Sequence, residues 1–279
     1  MTERLDPNEL LEQAQQDAES IIDYRPGDSF VHGRNPVTKL VLVIGIAAIA
    51  FMLPTFRLPL VIMIALLAVA AISGVFLPVA KVTVVIGVPL LLILLPVQAL
   101  FYPQNQTPMY VFEGVPVVDQ LTVWREGVLF SLLILSRLAA VIVAMMLFVT
   151  TTLPRKLTDS LMQKGMSNKF AYVFIAALQF IPQMQRRSGK ILDAQQARGL
   201  DTSANVLRRG KAIVELLSPL LISTLISTQT RALALESRGF TRGGERTYIY
   251  DIPDTTLDRA LRWATGVAVV AVAVWRVAL

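Results

Sequence analysis

Cysteine is absent from the 279 residues, and histidine occurs once, as His32. The first absence excludes disulfides, thiolate nucleophiles and cysteine-bound metals. The second excludes a histidine metal cluster within one chain. Charge is also scarce. Only 16% of residues are charged, against about a quarter in soluble domains, while 54% are hydrophobic. No Gly-rich Lys-Ser/Thr phosphate loop is present, so ATP binding by that route is not expected. The first twenty residues, MTERLDPNELLEQAQQDAES, are acidic and polar. They lack a basic stretch followed by an apolar core and do not read as a signal peptide.

What the chain has is apolar runs. They cover 40–53, ended by Pro54, then 58–77, 82–101, 128–149 and 263–279. A spanning helix needs about 20 residues, so the second to fourth runs qualify outright, and the first and last need flanking residues. The net charge of +6 is unevenly distributed. Between Arg155 and Arg246 stand 15 Lys/Arg and 6 Asp/Glu, whereas the rest of the chain is slightly acidic. A basic segment beside a membrane stays in the cytoplasm. Aromatic interleaving and a nucleic-acid-binding motif are missing from it, so nucleic acid is not an expected partner. The loop 102–127 carries one basic residue, Arg125, and falls outside; Arg34, Lys39 and Lys81 fall on the other face. Five spans result, with the N-terminus inside and the C-terminus outside. Arg57 in an outer turn is the one exception, and one charge does not overturn the count.

Two further stretches, 170–182 and 212–230, are apolar, but each continues into a charged helix. Helices with one apolar and one polar half suit elements at or below the membrane face, so neither is taken as a span. The two stretches resemble each other. Each has a proline near its middle, Pro182 or Pro219, and each ends in small-Arg-Gly: Ala197-Arg198-Gly199 and Ser237-Arg238-Gly239. Glycine just past the last turn stops a helix, and arginine there is favoured by the helix dipole. One such motif alone is a basic helix cap. Two, each closing a long helix in the same basic segment, suggest docking on two equivalent partners, because an arginine fork binds a carboxylate at two points.

These motifs resemble those of the transmembrane T component of energy-coupling-factor transporters, the EcfT/CbiQ family. The likeness runs from about His32 to the end. NPVTKL (35–40) is similar to the family's Asp-Pro-x-Thr-Lys-Leu, with Asn35 in the aspartate's place, and TTLPRKLTDSL (151–161) resembles its Thr-Thr-x-Pro segment. The resemblance implies an all-α membrane protein of about five transmembrane helices with a cytoplasmic domain of long coupling helices. On that basis we expect a polar tail over 1–30, four spans within 31–153, a coupling domain over 154–250 and a final span within 251–279. It also implies a non-catalytic scaffold in the cell membrane of a prokaryote. Its partners would be two ABC-type ATPases and a small membrane substrate-binding S component, importing a vitamin or a transition-metal ion. ATP and Mg²⁺ would belong to the ATPases, with no cofactor on this chain. Arg198 and Arg238 would each dock on one ATPase, with Ala197, Gly199, Ser237 and Gly239 permitting close approach.

Arg137, inside the fourth run, has two readings: an intramembrane anchor, or a partner of a backbone carbonyl in a tilted span. Small residues in the first two spans, among them Gly45, Ala48 and Ala70, allow close helix contact. Two other function classes meet parts of the sequence. Asp251, Asp254 and Asp258 form a carboxylate cluster that suits a membrane enzyme holding a Mg²⁺-diphosphate, although Asp254 or Asp258 can equally cap the last helix. A self-contained secondary transporter would need polar groups in several spans, and Arg137 stands alone.

Overall fold

The computed structural model describes residues 27, 29–103, 106–115, 118–199, 206–240 and 252–278. The chain divides into two units, Met1–Leu161 with Ile252–Leu279, and Met162–Asp251.

The first unit is built on apolar helices. Helix α1, Pro36–Met52, begins where the Asn35 side chain accepts the Val37 N–H and Pro36 takes the first helical position. It stops at Leu53, which is extended ahead of Pro54. Helix α2, Arg57–Ile72, is shorter than the apolar run 58–77 that contains it. Gly74, at φ +72°, ends it: the Gly74 N–H donates to Ala71 O and the Val75 N–H to Ala70 O. This glycine cap divides a continuously apolar run into two helices. Helix α3 then runs Phe76–Phe101 through Lys81, Pro89 and Pro96.

The segment expected to be a plain outer loop contains an antiparallel hairpin, β1 (Pro108–Val115) with β2 (Val118–Trp124). It leads directly into α4, Arg125–Thr151. The Arg125 N–H donates to Thr107 O at 3.2 Å. The Thr107 and Gln106 N–H groups and the Thr107 hydroxyl donate to the Glu126 carboxylate. Helix α5 is Pro154–Gln163, and α8, after the second unit, is Thr256–Ala278.

Helix α4 is central and packs against α1, α2 and α3, while α8 packs on α1. Ala70, Val75, Val79, Val143, Met146 and Leu147 form the buried core. Glycine sets two of these contacts. A Cβ on Gly45 would stand 2.1 Å from Thr265 Cγ2, and one on Gly127 would stand 2.1 Å from Gln98 O. Large apolar side chains such as Ile72, Leu77 and Val277 face outward, as a surface solvated by lipid requires. Among the described residues, α3, α4 and α8 are long and apolar enough to cross a bilayer, while α1 and α2 are apolar but shorter.

The second unit contains α6, Asn168–Ala197, and α7, Val206–Ser237, which passes through Pro219. Position 182 lies inside α6, but the Pro182 side chain is outside the described residues. The two helices are antiparallel. Arg187 donates to Ser223 O and Ser227 Oγ, Arg231 donates to Gln183, and the Tyr172 ring packs tilted against Phe240 with centroids 5.2 Å apart.

Candidate functional site

Both small-Arg-Gly motifs are helix ends of the same local design. In the second, Gly239 has φ +70°, its N–H donates to Glu236 O, and the Phe240 N–H reaches back to Leu235 O. These two bonds define a Schellman cap, with Arg238 as the cap residue. In the first, Gly199 has φ +95° and donates to Gln196 O, and Arg198 is the cap residue. Leu200, which would complete the pattern, is outside the described residues. Ala197 and Ser237 close the last turns and are exposed, and the Ser237 hydroxyl donates to Ala234 O. Arg198 and Arg238 are exposed. Neither guanidinium has a hydrogen-bond or ion-pair partner among the described residues.

The antiparallel arrangement puts the two motifs at opposite ends of the helix pair. Phe240 packs against Tyr172, near the start of α6, whereas Arg198 follows its end. At 1.5 Å per residue, the intervening helix separates the arginines by about 40 Å. The unit therefore presents two like cationic tips, far apart, each held at the negative end of a helix dipole.

Arg137 donates through Nη2 to Leu53 O, the carbonyl that closes α1. Pro54 follows Leu53, so α1 cannot continue and this carbonyl needs another donor. The guanidinium thus caps a helix that ends beside the middle of α4.

A polar cluster that sequence reasoning did not assemble lies where α1, α5 and α8 meet. Ser160 on α5 donates to Asn35 Oδ1 at 2.8 Å, and the Asn35 N–H donates to Asp258 Oδ1. Asp258, 1% exposed, also accepts the Thr255 N–H and hydroxyl, while its own N–H donates to Thr255 Oγ1. This reciprocal pair is a capping box that starts α8. Arg262 bonds Thr38 Oγ1 and Asp254 Oδ2 at 3.0 and 2.8 Å. Lys39 donates to Thr151 O at 2.9 Å, at the end of α4. The Thr-x-x-Asp spacing at Thr255–Asp258 and the eight-residue spacing of Asp254 and Arg262 are local; the other partners are 112 to 224 positions apart. Asp254 is thus paired with Arg262 of α8 and Asp258 with the start of α1, and Asp251 lies outside the described residues. Among the described residues no group of three His, Cys, Asp or Glu is placed to hold a metal ion.

Comparison with known proteins follows the same outline. The CbiQ family, described as cobalt transport protein, matches residues 27–249. A relative from Thermosediminibacter oceani, named energy-coupling factor transporter transmembrane protein EcfT, is 29% identical over 263 residues, covering 90% of this chain and 95% of the relative. A Bacillus subtilis protein of the same name is 30% identical over 239 residues, covering 80% and 85%. A Bifidobacterium longum protein named as an ABC transporter ATP-binding protein is 30% identical over 235 residues, which is 80% of this chain but 29% of that protein. Apolar helices with outward-facing side chains, the paired Arg-Gly helix ends and this breadth of match lead to one conclusion: the chain belongs to the EcfT/CbiQ family, the multi-pass transmembrane components of prokaryotic energy-coupling-factor transporters.

Proposed function

We propose that the chain is the scaffold through which two cytoplasmic ABC-type ATPases act on a substrate-binding S component in the membrane. Arg198 docks on one ATPase and Arg238 on the other. ATP binding and hydrolysis on the ATPases displace α6 and α7, and this movement reorients the S component to deliver a vitamin or transition-metal ion. The observation that carries the reading is the pair of exposed arginines on matching helix ends, about 40 Å apart. Two equal sites at that separation suit two copies of one partner better than one small ligand. A carboxylate in a groove on each ATPase would pair with the guanidinium in a bidentate bond. The Bifidobacterium longum relative supports the association, since a stretch similar to this chain occurs there within a larger protein named for ATP binding.

In this reading the N-terminus and the Arg-Gly helices are cytoplasmic and the hairpin is outside. The chain itself is non-catalytic; ATP and Mg²⁺ reside on the partners. Detergent co-purification tests the assembly. The unaltered chain is expected to retain two ATPase copies and one small membrane subunit. The Arg198→Ala/Arg238→Ala variant is expected to lose the ATPases while remaining in the membrane. Retention of both ATPases by that variant would reduce the arginines to plain helix caps.

A further inference from the structure

In the orientation proposed above, the α1–α2 turn and the segment between α3 and α4 lie outside. Each brings one basic residue, Arg57 or Arg125, at the first position of the helix that follows. Both placements are unfavourable on simple grounds. Lys and Arg concentrate on the cytoplasmic side of a membrane, and a positive charge in the first turn opposes the helix dipole. The two residues are far apart in sequence, yet the fold brings both to the wall of one cavity of about 560 Å³. That volume is in the range of small-ligand sites.

The cavity lies where the α1–α2 turn, the end of α3 and the start of α4 meet. Arg57 and Arg125 are exposed, and neither side chain has a hydrogen-bond or ion-pair partner among the described residues. The one carboxylate in the wall, Glu126, is already occupied. It accepts the Thr107 hydroxyl and N–H and the Gln106 N–H, which tie the base of the hairpin to α4. The Arg125 N–H donates to Thr107 O, so the backbone that carries this arginine is held as well. Further into α4 the lining is apolar. Leu129 and Leu133 stand one and two turns beyond Arg125, and Phe130 packs against Tyr102 with ring centroids 4.6 Å apart. The site thus combines a cationic rim with an apolar floor.

We propose that this cavity binds the headgroup of an anionic phospholipid from the outer leaflet. The phosphate sits between Arg57 and Arg125, whose planar forks suit phosphate oxygens. The glycerol and the first acyl carbons cover Leu129 and Leu133. A free phosphate would leave that floor in water, whereas an amphiphile satisfies rim and floor together. Only the choice of leaflet rests on the orientation proposed above. Binding itself does not depend on ATPase docking, so failure of the lipid site leaves the scaffold reading untouched, and failure of the scaffold reading leaves the site untouched.

The test is native mass spectrometry of the purified chain in neutral detergent, titrated with phosphatidylglycerol and with phosphatidylcholine of matched chains. Phosphatidylglycerol is expected to bind at least about fivefold more tightly, the effect of one basic residue near an anionic surface. Arg57→Gln and Arg125→Gln should each reduce the preference, and the double variant should bring phosphatidylglycerol to the phosphatidylcholine level. Both side chains are exposed, so these variants should elute as the unaltered chain does. Arg276→Gln is the control, because this arginine is exposed near the end of α8 and does not line the cavity. It should leave the preference unchanged; an equal loss there would reduce the effect to general surface charge and overturn the site. Equal binding of the two lipids, or an unchanged preference in the double variant, overturns it too. Glycerol 3-phosphate at the concentration of the lipid should not displace phosphatidylglycerol; displacement would assign the cavity to a free phosphate. The lipid should also persist in the complex with ATPases and membrane subunit. Its loss there would assign the cavity to a protein partner and overturn the lipid site.

Discussion

The turn that ends α7 at Arg238 forms because the next residue adopts a backbone that other side chains resist. Gly239 has φ +70°, and an L-residue pays about 1–2 kcal/mol to sit there. Gly239→Ala should therefore weaken ATPase retention in co-purification although the arginine remains, and Gly239→Asn, which tolerates that backbone better, should be milder. Equal retention by all three chains would separate the cap from docking. Arg238→Ala should be more severe than either. Removing one partner of a buried charge pair costs about 2 to 5 kcal/mol, and Arg238→Lys should rescue only part, because an ammonium cannot reproduce the fork. Both motifs were legible as helix stops because cap chemistry is local: glycine and its neighbours determine it. Asn35 was not legible in the same way. Its partners Ser160 and Asp258 lie 125 and 223 positions away, and no spacing rule announces them.

At the level of elements, glycine decides where helices begin, end and touch. The run 58–77 looked like one span because all its residues are compatible with one, and Gly74 alone divides it. The hairpin between α3 and α4 was also hidden, since Tyr110, Val111 and Phe112 give only a short extended pattern beside turn residues. The α1–α8 contact offers a sharper test. A Cβ on Gly45 collides with Thr265 Cγ2 at 2.1 Å, yet the next nearest atom, Thr265 Cβ, is an ordinary 3.6 Å away. Gly45→Ala should destabilise the protein by about 1 to 3 kcal/mol, as overpacking does. Adding Thr265→Ala removes the colliding methyl and should restore most of the loss in a detergent melting curve. No rescue would mean that α1 and α8 are not held together at this point. Gly127→Ala should have no such rescue, because the atom it meets is the backbone oxygen of Gln98. Asp258→Ala should also lower the melting temperature, since the α8 capping box and the Asn35 N–H lose one acceptor together, at about 1 to 2 kcal/mol.

For the molecule as a whole, composition carried the class. A chain that is 54% hydrophobic, with outward-facing Ile72, Leu77 and Val277, has a hydrocarbon-facing exterior. The orientation of that exterior rests on charge asymmetry alone, and the absence of cysteine allows a clean measurement. Every introduced cysteine is the only thiol on the chain. Met109 on the hairpin is 65% exposed, and Thr230 near the end of α7 is exposed as well. If the excess of Lys/Arg between Arg155 and Arg246 keeps that segment inside, a membrane-impermeant maleimide should label Met109→Cys on intact cells. Thr230→Cys should react only after the membrane is opened. The two sites probe opposite ends of the argument. Met109 follows α3, so its labelling fixes an odd number of crossings before the hairpin, given an N-terminus inside. Thr230 lies on an apolar stretch that hydropathy alone could mistake for a span. Its labelling from outside would turn α7 into a membrane helix and remove Arg238 from the reach of any cytoplasmic ATPase, whatever the geometry of its cap.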